Sequence, residues 1–217
     1  MKKNISNLQL FLTVLFVSSL LIANVVTAKQ IQLPFGITMT GAIIIFPIIY
    51  VLSDLFSEVY GYIWSRQTCY YAFAMNLLMV LVFEIVIATP APSHWESQKA
   101  FATVLGSTPR VLVASMSAFV AGDFANDKVF DWLKARHNDT KGFCARAILS
   151  SFVGELIDSM IFIPIAFVGT MPVNTMIVMG ITQVCLKVGF EIAFLPLTKM
   201  AVSKALLYEK AVQYEKN

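Results

Sequence analysis

Long apolar runs dominate this sequence and limit what it can fold into. Of the 217 residues, 58% are apolar and 13% are charged. A soluble domain carries about 25% charged residues, and a charged shell this thin could not cover so much apolar surface. A helix that crosses a bilayer needs about 20 predominantly apolar residues. The composition therefore excludes a soluble fold and predicts an all-α integral membrane protein.

Six apolar runs are long enough to cross the membrane. They are Leu8–Ala28, Ile37–Trp64, Tyr70–Ala88, Val111–Phe130, Phe143–Val168 and Val173–Met200. The first is longer than the apolar core of a signal peptide, so we expect it to be a membrane helix. The polar stretch Ser93–Pro109 contains Trp95 and Phe101, which favours a position at the membrane interface. We predict a compact bundle of six transmembrane helices over residues 1–200 and a charged cytoplasmic tail over 201–217.

The distribution of lysine and arginine predicts the orientation of the bundle, because basic residues accumulate on the cytoplasmic side. With six spans and a cytoplasmic N-terminus, Lys29, Lys99 and Arg110 fall outside, and Lys187 lies within a helix. The others fall inside: Lys2, Lys3, Arg66, Lys128, Lys134, Arg136, Lys141, Arg146, Lys199, Lys204, Lys210 and Lys216. Both termini are therefore expected to be cytoplasmic. The net charge of +3 is spread along the chain, so no nucleic-acid partner is expected.

Ionisable and amide side chains inside the apolar runs are the most informative feature for function. A charge in the bilayer core costs at least about 2.5–3.5 kcal/mol, so it usually faces a protein interior or a water-filled path. The side chains recur at helical spacing, which places each set on one face of its helix. The sets are Asp54 with Glu58; Asp123, Asn126 and Asp127; Glu155 with Asp158; and Gln183, Lys187 and Glu191. Several are expected near the middle of the membrane, where transporters bind solutes.

Most of these sets also have a structural interpretation. Asp54 and Glu58 could cap or pair at a helix end. The cluster that begins at Asp123 could be interfacial and neutralised by Lys128, and Lys187 could form a single ion pair with Glu191. The pair Glu155 and Asp158 is harder to explain in this way, because no base follows Arg146 on the same helix face.

The intramembrane acids greatly outnumber the intramembrane bases. In the polar sets named above, Lys187 is the one base, and the acids are Asp54, Glu58, Asp123, Asp127, Glu155, Asp158 and Glu191. So many carboxylates cannot all be dry and ionised, since burial and mutual repulsion oppose it. A solute rich in N–H donors would supply what such a site lacks. An amidine-like edge, as in a guanine-type base, pairs with a carboxylate through two parallel hydrogen bonds.

Motifs for enzymatic chemistry are missing. The sequence contains no HExxH, GxSxG, GxxxxGK[ST] or GxGxxG pattern. Cys69, Cys144 and Cys185 lack CxxC spacing, so neither a metal nor another cofactor is expected. An intramembrane enzyme that uses the acids of the second and fifth runs would leave Lys187 without a role. We therefore expect a protein that is not an enzyme.

A set of residues along the chain resembles one known family. They are Asn24, Lys29, Gly41, Phe46, Pro47, Tyr50, Asp54, the segment Glu58–Gly61, Arg66, Phe130, Leu133, Lys134, Arg146, Ser150, Ser151, Asp158, Phe162, Gln183 and Lys187. On these residues the chain resembles the queuosine precursor transporter family over about residues 15 to 200. That family is itself similar to the substrate-binding components of energy-coupling-factor vitamin transporters. The stretch from Phe46 to Gly61 is the most specific part.

The resemblance implies a six-helix protein of the bacterial cytoplasmic membrane. It would import 7-cyano-7-deazaguanine, and its 7-aminomethyl relative, for tRNA modification. The alternative is a substrate-binding subunit for another small vitamin-like solute that needs a separate ATP-driven partner. Ser19, Ala23 and Thr27 on the first helix lack the clean alanine pair with which such components dock a partner. We therefore infer no shared energy-coupling module, and coupling to protons stays open.

For such a ligand, Glu155 and Asp158 would accept the ring and amine N–H groups, and Lys187 would hold the carbonyl or balance the acids. An aromatic ring, from Tyr50, Phe162 or Trp95, would stack on the base. The predicted substrate-binding residues are Asn24, Tyr50, Asp54, Glu58, Asn126, Glu155, Asp158, Phe162, Gln183, Lys187 and Glu191.

Overall fold

The computed structural model describes residues 5–136 and 143–214, and most of them are helical. The helices are α1 (Asn7–Val26), α2 (Phe46–Leu55), α3 (Tyr62–Ala88), α4 (Gln98–Leu105), α5 (Thr108–Arg136), α6 (Phe143–Phe167) and α7 (Val173–Tyr214). Two short antiparallel strands, β1 (Gln30–Gln32) and β2 (Thr38–Thr40), form a hairpin between α1 and α2.

Among the described residues, five helical segments are long and apolar enough to cross a membrane. They are Asn7–Val26, Tyr62–Ala88, Gln98–Asn126, Leu149–Phe167 and Val173–Val212. Their outer faces expose large apolar side chains, among them Leu77, Ile85 and Ile181. Such a surface suits lipid rather than water, because a soluble protein rarely exposes large contiguous apolar patches. The prediction of an all-α membrane bundle is confirmed.

The second predicted span, Ile37–Trp64, is not one helix. It begins in the hairpin, passes through a 3-10 turn at Gly41–Ile44 and becomes helical only at α2. After α2 the chain continues as a π-helical turn, Phe56–Tyr60, and then breaks at Gly61, whose φ is 84°. That conformation is readily available only to glycine, so the residue ends the helical stretch. The apolar run concealed these changes because apolarity alone does not distinguish a strand from a short helix.

The third helix begins earlier than the sequence predicted, at Tyr62 rather than Tyr70. The polar residues Arg66, Gln67 and Thr68 lie between the second and third predicted runs, yet they form part of the first turns of α3. A helix end at the membrane boundary accommodates polar side chains, so polarity there does not mark a loop. The predicted interfacial stretch Ser93–Pro109 contains the short helix α4.

The last helix passes through the predicted start of the tail at residue 201 and continues to Tyr214. Ala205, in this extension, is buried in one apolar cluster with Leu12 and Phe16 of α1. The described part of the tail therefore packs against the bundle. A second apolar cluster joins Met39 of β2 to α5, α6 and Met179 of α7. Because α7 contributes to both clusters, it holds the residues between them in a fixed position.

Candidate solute-binding site

A buried lysine on α7 pairs with two acids on α6. The Lys187 Nζ atom lies 2.6 Å from Asp158 Oδ2, to which it donates a hydrogen bond, and 2.6 Å from Glu155 Oε2. The lysine side chain is only 8% exposed, and the two acids are about one-quarter exposed. Glu155 and Asp158 are three residues apart, so both point from the same face of α6. This ion-pair group joins the two helices.

Helix α2 covers the same lysine with two aromatic residues. The Tyr50 hydroxyl lies within electrostatic range of the Lys187 ammonium group. The Phe46 ring, one turn earlier on α2, has its centroid 5.8 Å from Lys187 Nζ, a cation–π contact. The two rings lie 6.1 Å apart in a tilted arrangement. Pro47 occupies the first turn of α2, where its missing N–H would have no helical partner.

Two further acids extend the group. Asp54 lies one turn after Tyr50, and Glu191 lies one turn after Lys187; the two carboxyl groups are within electrostatic range of each other. Glu191 is also within electrostatic range of Glu155 and lies near the Ser151 side chain. We call Tyr50, Asp54, Glu155, Asp158, Lys187 and Glu191 the Lys187 cluster. It contains one ammonium group and four carboxyl groups, of which Glu155 and Asp158 contact the ammonium group. This is the imbalance that the sequence predicted for the intramembrane acids.

Two amide side chains, one on α5 and one on α7, have buried oxygen atoms without a hydrogen-bond partner among the described residues. These atoms are Asn126 Oδ1 on α5 and Gln183 Oε1 on α7. Gln183 is 2% exposed and lies one turn before Lys187. An unsatisfied buried polar group costs about 1–3 kcal/mol. Both atoms are acceptors, so they suit a solute that brings N–H groups.

Glu58 and Phe162 lie beyond the Lys187 cluster. Glu58, one turn after Asp54, is exposed in the π-helical turn and interacts electrostatically with Asp54. The acidic residues of α2 and the π-helical turn thus run from the Lys187 cluster to the surface. Phe162, one turn after Asp158, packs against the second apolar cluster, with its ring 6.2 Å from and edge-on to Phe167.

Asn24 is not brought to the Lys187 cluster. Its Nδ2 group donates a hydrogen bond to Asn76 Oδ1, and Asn76 in turn donates to the carbonyl of Ala72. Both amide side chains are buried between α1 and α3. The hydrogen bond across two helices accounts for Asn24 without a ligand. Trp95, predicted as a stacking ring, is 46% exposed in the turn before α4.

Of the two acids predicted on α5, Asp123 has a described side chain and Asp127 does not. Asp123 forms an ion pair with Arg66 of α3, whose guanidinium group also lies 4.8 Å from the centroid of the Tyr62 ring. This agrees with a structural role, although the partner is Arg66 and not Lys128. The Asp127 side chain lies outside the described part of the structure.

An apolar groove of about 490 Å³ runs between α6 and α7 on the face away from the Lys187 cluster. Its lining is apolar apart from Ser159 and Cys185, and none of its lining residues belongs to the cluster. The unpartnered Ser159 hydroxyl therefore faces the groove, although it is adjacent in sequence to Asp158.

Two contact residues of the cluster, Phe46 and Ser151, were missed as site residues by the sequence reasoning. Phe46 stands one turn before Tyr50 and Ser151 stands four residues before Glu155. Helical spacing from the predicted acids could have found both.

The chain matches known transporters. A family model described as "Putative vitamin uptake transporter" matches residues 40–201, most of the chain and all of the Lys187 cluster. The chain belongs to this family. A relative from Bacillus subtilis (strain 168), named "Probable queuosine precursor transporter", is 26% identical over 174 residues, which are 80% of this chain and 76% of the relative. No solved structure matches the chain.

Membership of the vitamin uptake transporter family, together with the apolar helices, makes this chain a multi-pass membrane transporter with a small-molecule substrate. The family and the named relative confirm the resemblance inferred from the sequence. They also confirm the prediction that the chain is a transporter and not an enzyme.

Proposed function

We propose that the protein imports 7-deazaguanine precursors of queuosine across the bacterial cytoplasmic membrane, with both termini in the cytoplasm. The substrates are 7-cyano-7-deazaguanine and its 7-aminomethyl relative. The observation that carries the proposal is the Lys187 cluster, in which one lysine is shared by the acids Glu155 and Asp158. The name of the Bacillus subtilis relative supports the choice of substrate.

The chemistry of the base complements that of the cluster. A guanine-like edge carries a ring N–H and an exocyclic amine side by side, followed by a carbonyl oxygen. A carboxylate accepts the two N–H groups through parallel hydrogen bonds, which is a strong and orienting geometry. In the proposed complex Asp158 or Glu155 takes this role, and Lys187 donates to the carbonyl. The bound base then replaces one of the contacts that the lysine makes with the acids.

In the proposed complex, other residues bind the remaining groups of the base. The unpartnered oxygen atoms of Asn126 and Gln183 accept the other N–H groups of the ligand. Tyr50 or Phe46 on α2 stacks on the ring system, and stacking on a nucleobase contributes about 1–3 kcal/mol. Because these polar partners are buried or partly buried, a solute without the matching donors would leave them unpaired and bind weakly.

A rescue experiment tests the proposed function. The chain is expressed in cells that can neither make the deazaguanine base nor import it, nanomolar 7-cyano-7-deazaguanine is supplied, and queuosine in tRNA is measured. Restored queuosine is the expected result, and the Asp158→Ala variant at equal membrane level serves as the matched control without the site. Absence of queuosine from cells with the wild-type chain in the membrane would contradict the proposal.

A second candidate function is a binding subunit for another vitamin-like solute that works with a separate ATP-driven partner. The family description, which speaks of vitamin uptake in general, favours it. Purified protein in liposomes distinguishes the two. Uptake of the deazaguanine base by the chain alone is expected under the first proposal and would reject the need for a partner.

A further inference from the structure

Helices α5 and α6 make the most extensive helix–helix contact among the described residues, and two glycines lie at its closest point. A Cβ atom added to Gly122 would lie 2.9 Å from the Gly154 carbonyl oxygen and 3.2 Å from Asp158 Cβ. A Cβ atom added to Gly154 would lie 3.0 Å from the Gly122 carbonyl oxygen and 3.0 Å from Asn126 Cβ. The obstacles include backbone atoms, so neither position accepts a side chain unless the helices separate.

The contact is reciprocal. Asn126 follows Gly122 by one turn on α5, and Asp158 follows Gly154 by one turn on α6. Each glycine therefore faces the polar residue that follows the other glycine. The two polar residues held in this way belong to the candidate site: Asp158 binds Lys187, and Asn126 has a buried oxygen with no hydrogen-bond partner among the described residues.

We propose that Gly122 and Gly154 are positioning residues of the substrate site. They fix the separation of α5 and α6 and thereby the positions of the Asp158 carboxylate and the Asn126 carbonyl relative to the ligand. A binding constellation must be held within about 0.5 Å of its productive geometry. One added methyl group at either glycine forces a shift that approaches this tolerance, because the opposing backbone cannot retreat without moving its own helix. The inference rests on the proposed function.

The same helix bundle offers a matched control. Gly189 lies in α7, two residues after Lys187, and a Cβ atom added there meets nothing within 4 Å. Gly189→Ala makes the same chemical change close to the cluster without separating any helices. Alanine is also the better helix former, so this variant is not expected to weaken the bundle.

Equilibrium binding to the purified full-length chain tests the proposal. Two probes are compared, 7-cyano-7-deazaguanine and the analogue that lacks the exocyclic amine. We expect Gly122→Ala to raise the Kd for the base at least tenfold. We also expect it to reduce the preference for the base over the analogue, because the Asp158 carboxylate that accepts the amine N–H is displaced. Gly189→Ala is expected to stay within twofold of wild type in both measurements. A role in packing alone would not change the preference.

The other possible results distinguish failure of the positioning role from failure of the proposed function. Wild-type Kd and wild-type preference in Gly122→Ala would overturn the positioning role and leave the proposed function intact. If Gly122→Ala does not accumulate, Gly154→Ala is measured in its place, with a tenfold weaker Kd expected through Asn126. Failure of both variants to reach the membrane would overturn the proposal in favour of a purely structural contact. Failure of the wild-type chain to bind the base would overturn the proposed function itself.

Discussion

Lys187 on α7 and Asp158 on α6 form a buried ion pair, with Nζ and Oδ2 2.6 Å apart, and Glu155 lies equally close to the same lysine. Each ion is costly to bury and is retained because its partners compensate it. A ligand that competes for these partners therefore acts on the contact that joins the two helices. This links substrate binding to the packing of α6 against α7.

Removal of either acid is expected to weaken binding of the base. Asp158→Ala and Glu155→Ala each delete a carboxylate that would accept N–H groups, while the other acid still neutralises Lys187. We expect the Kd for 7-cyano-7-deazaguanine to rise at least tenfold, with normal amounts of protein in the membrane. Glu84→Ala, which removes an exposed acid from α3, is the control and should bind like wild type. Wild-type affinity in both cluster variants would contradict the site assignment.

Loss of the lysine should affect the folded protein as well as the ligand. Lys187→Met leaves Glu155 and Asp158 buried together without their base, and breaking a buried pair in this way costs about 3–5 kcal/mol. We expect a lower midpoint of thermal unfolding and less protein in the membrane. Lys187→Arg, which keeps the charge, should recover most of the stability. An unchanged midpoint in Lys187→Met would show that the ion pairs contribute little to the fold.

The polar faces of the single helices could be predicted, but their meeting could not. A period of 3.6 residues places Glu155 with Asp158, and Gln183 with Lys187 and Glu191, on common faces whatever the fold. That these faces pack against each other and against Tyr50 depends on the order in which the helices pack, which spacing does not encode. Asn24 shows the consequence: it is polar and lies in a predicted membrane helix, but its partner is Asn76.

The second apolar run shows a different limit. Ile37–Trp64 is predominantly apolar, yet it contains a strand, a 3-10 turn, α2 and the start of α3. The breaks depend on local backbone conformation at Gly61 and on pairing of Thr38–Thr40 with the preceding strand. A hydropathy pattern responds to neither, because both are effects of the backbone and not of side-chain polarity.

The Asn24–Asn76 hydrogen bond is expected to stabilise the bundle without contributing to affinity. Asn24→Ala removes the donor and leaves the buried Asn76 oxygen unpaired, which should cost about 1 kcal/mol. We expect a small fall in the unfolding midpoint and an unchanged Kd for the base. Asn24→Ala combined with Asn76→Ala should recover part of the loss, since no unpaired group remains. A tenfold rise in Kd at wild-type stability would instead show that Asn24 contributes to substrate binding.

The C-terminal part of α7 is expected to be needed for the stability of the bundle. Glu209 accepts hydrogen bonds from Ser6 at the start of α1 and from Tyr60 in the π-helical turn, and Ala205 is buried against α1. A chain that ends after Met200 loses all of these contacts and should unfold at a lower temperature. Glu209→Gln, which keeps a weaker acceptor, should show a smaller decrease. A chain that ends after Tyr214 keeps every contact named here and serves as the control. If the shorter chain unfolded at the wild-type temperature, residues 201–214 would contribute nothing to the stability of the bundle.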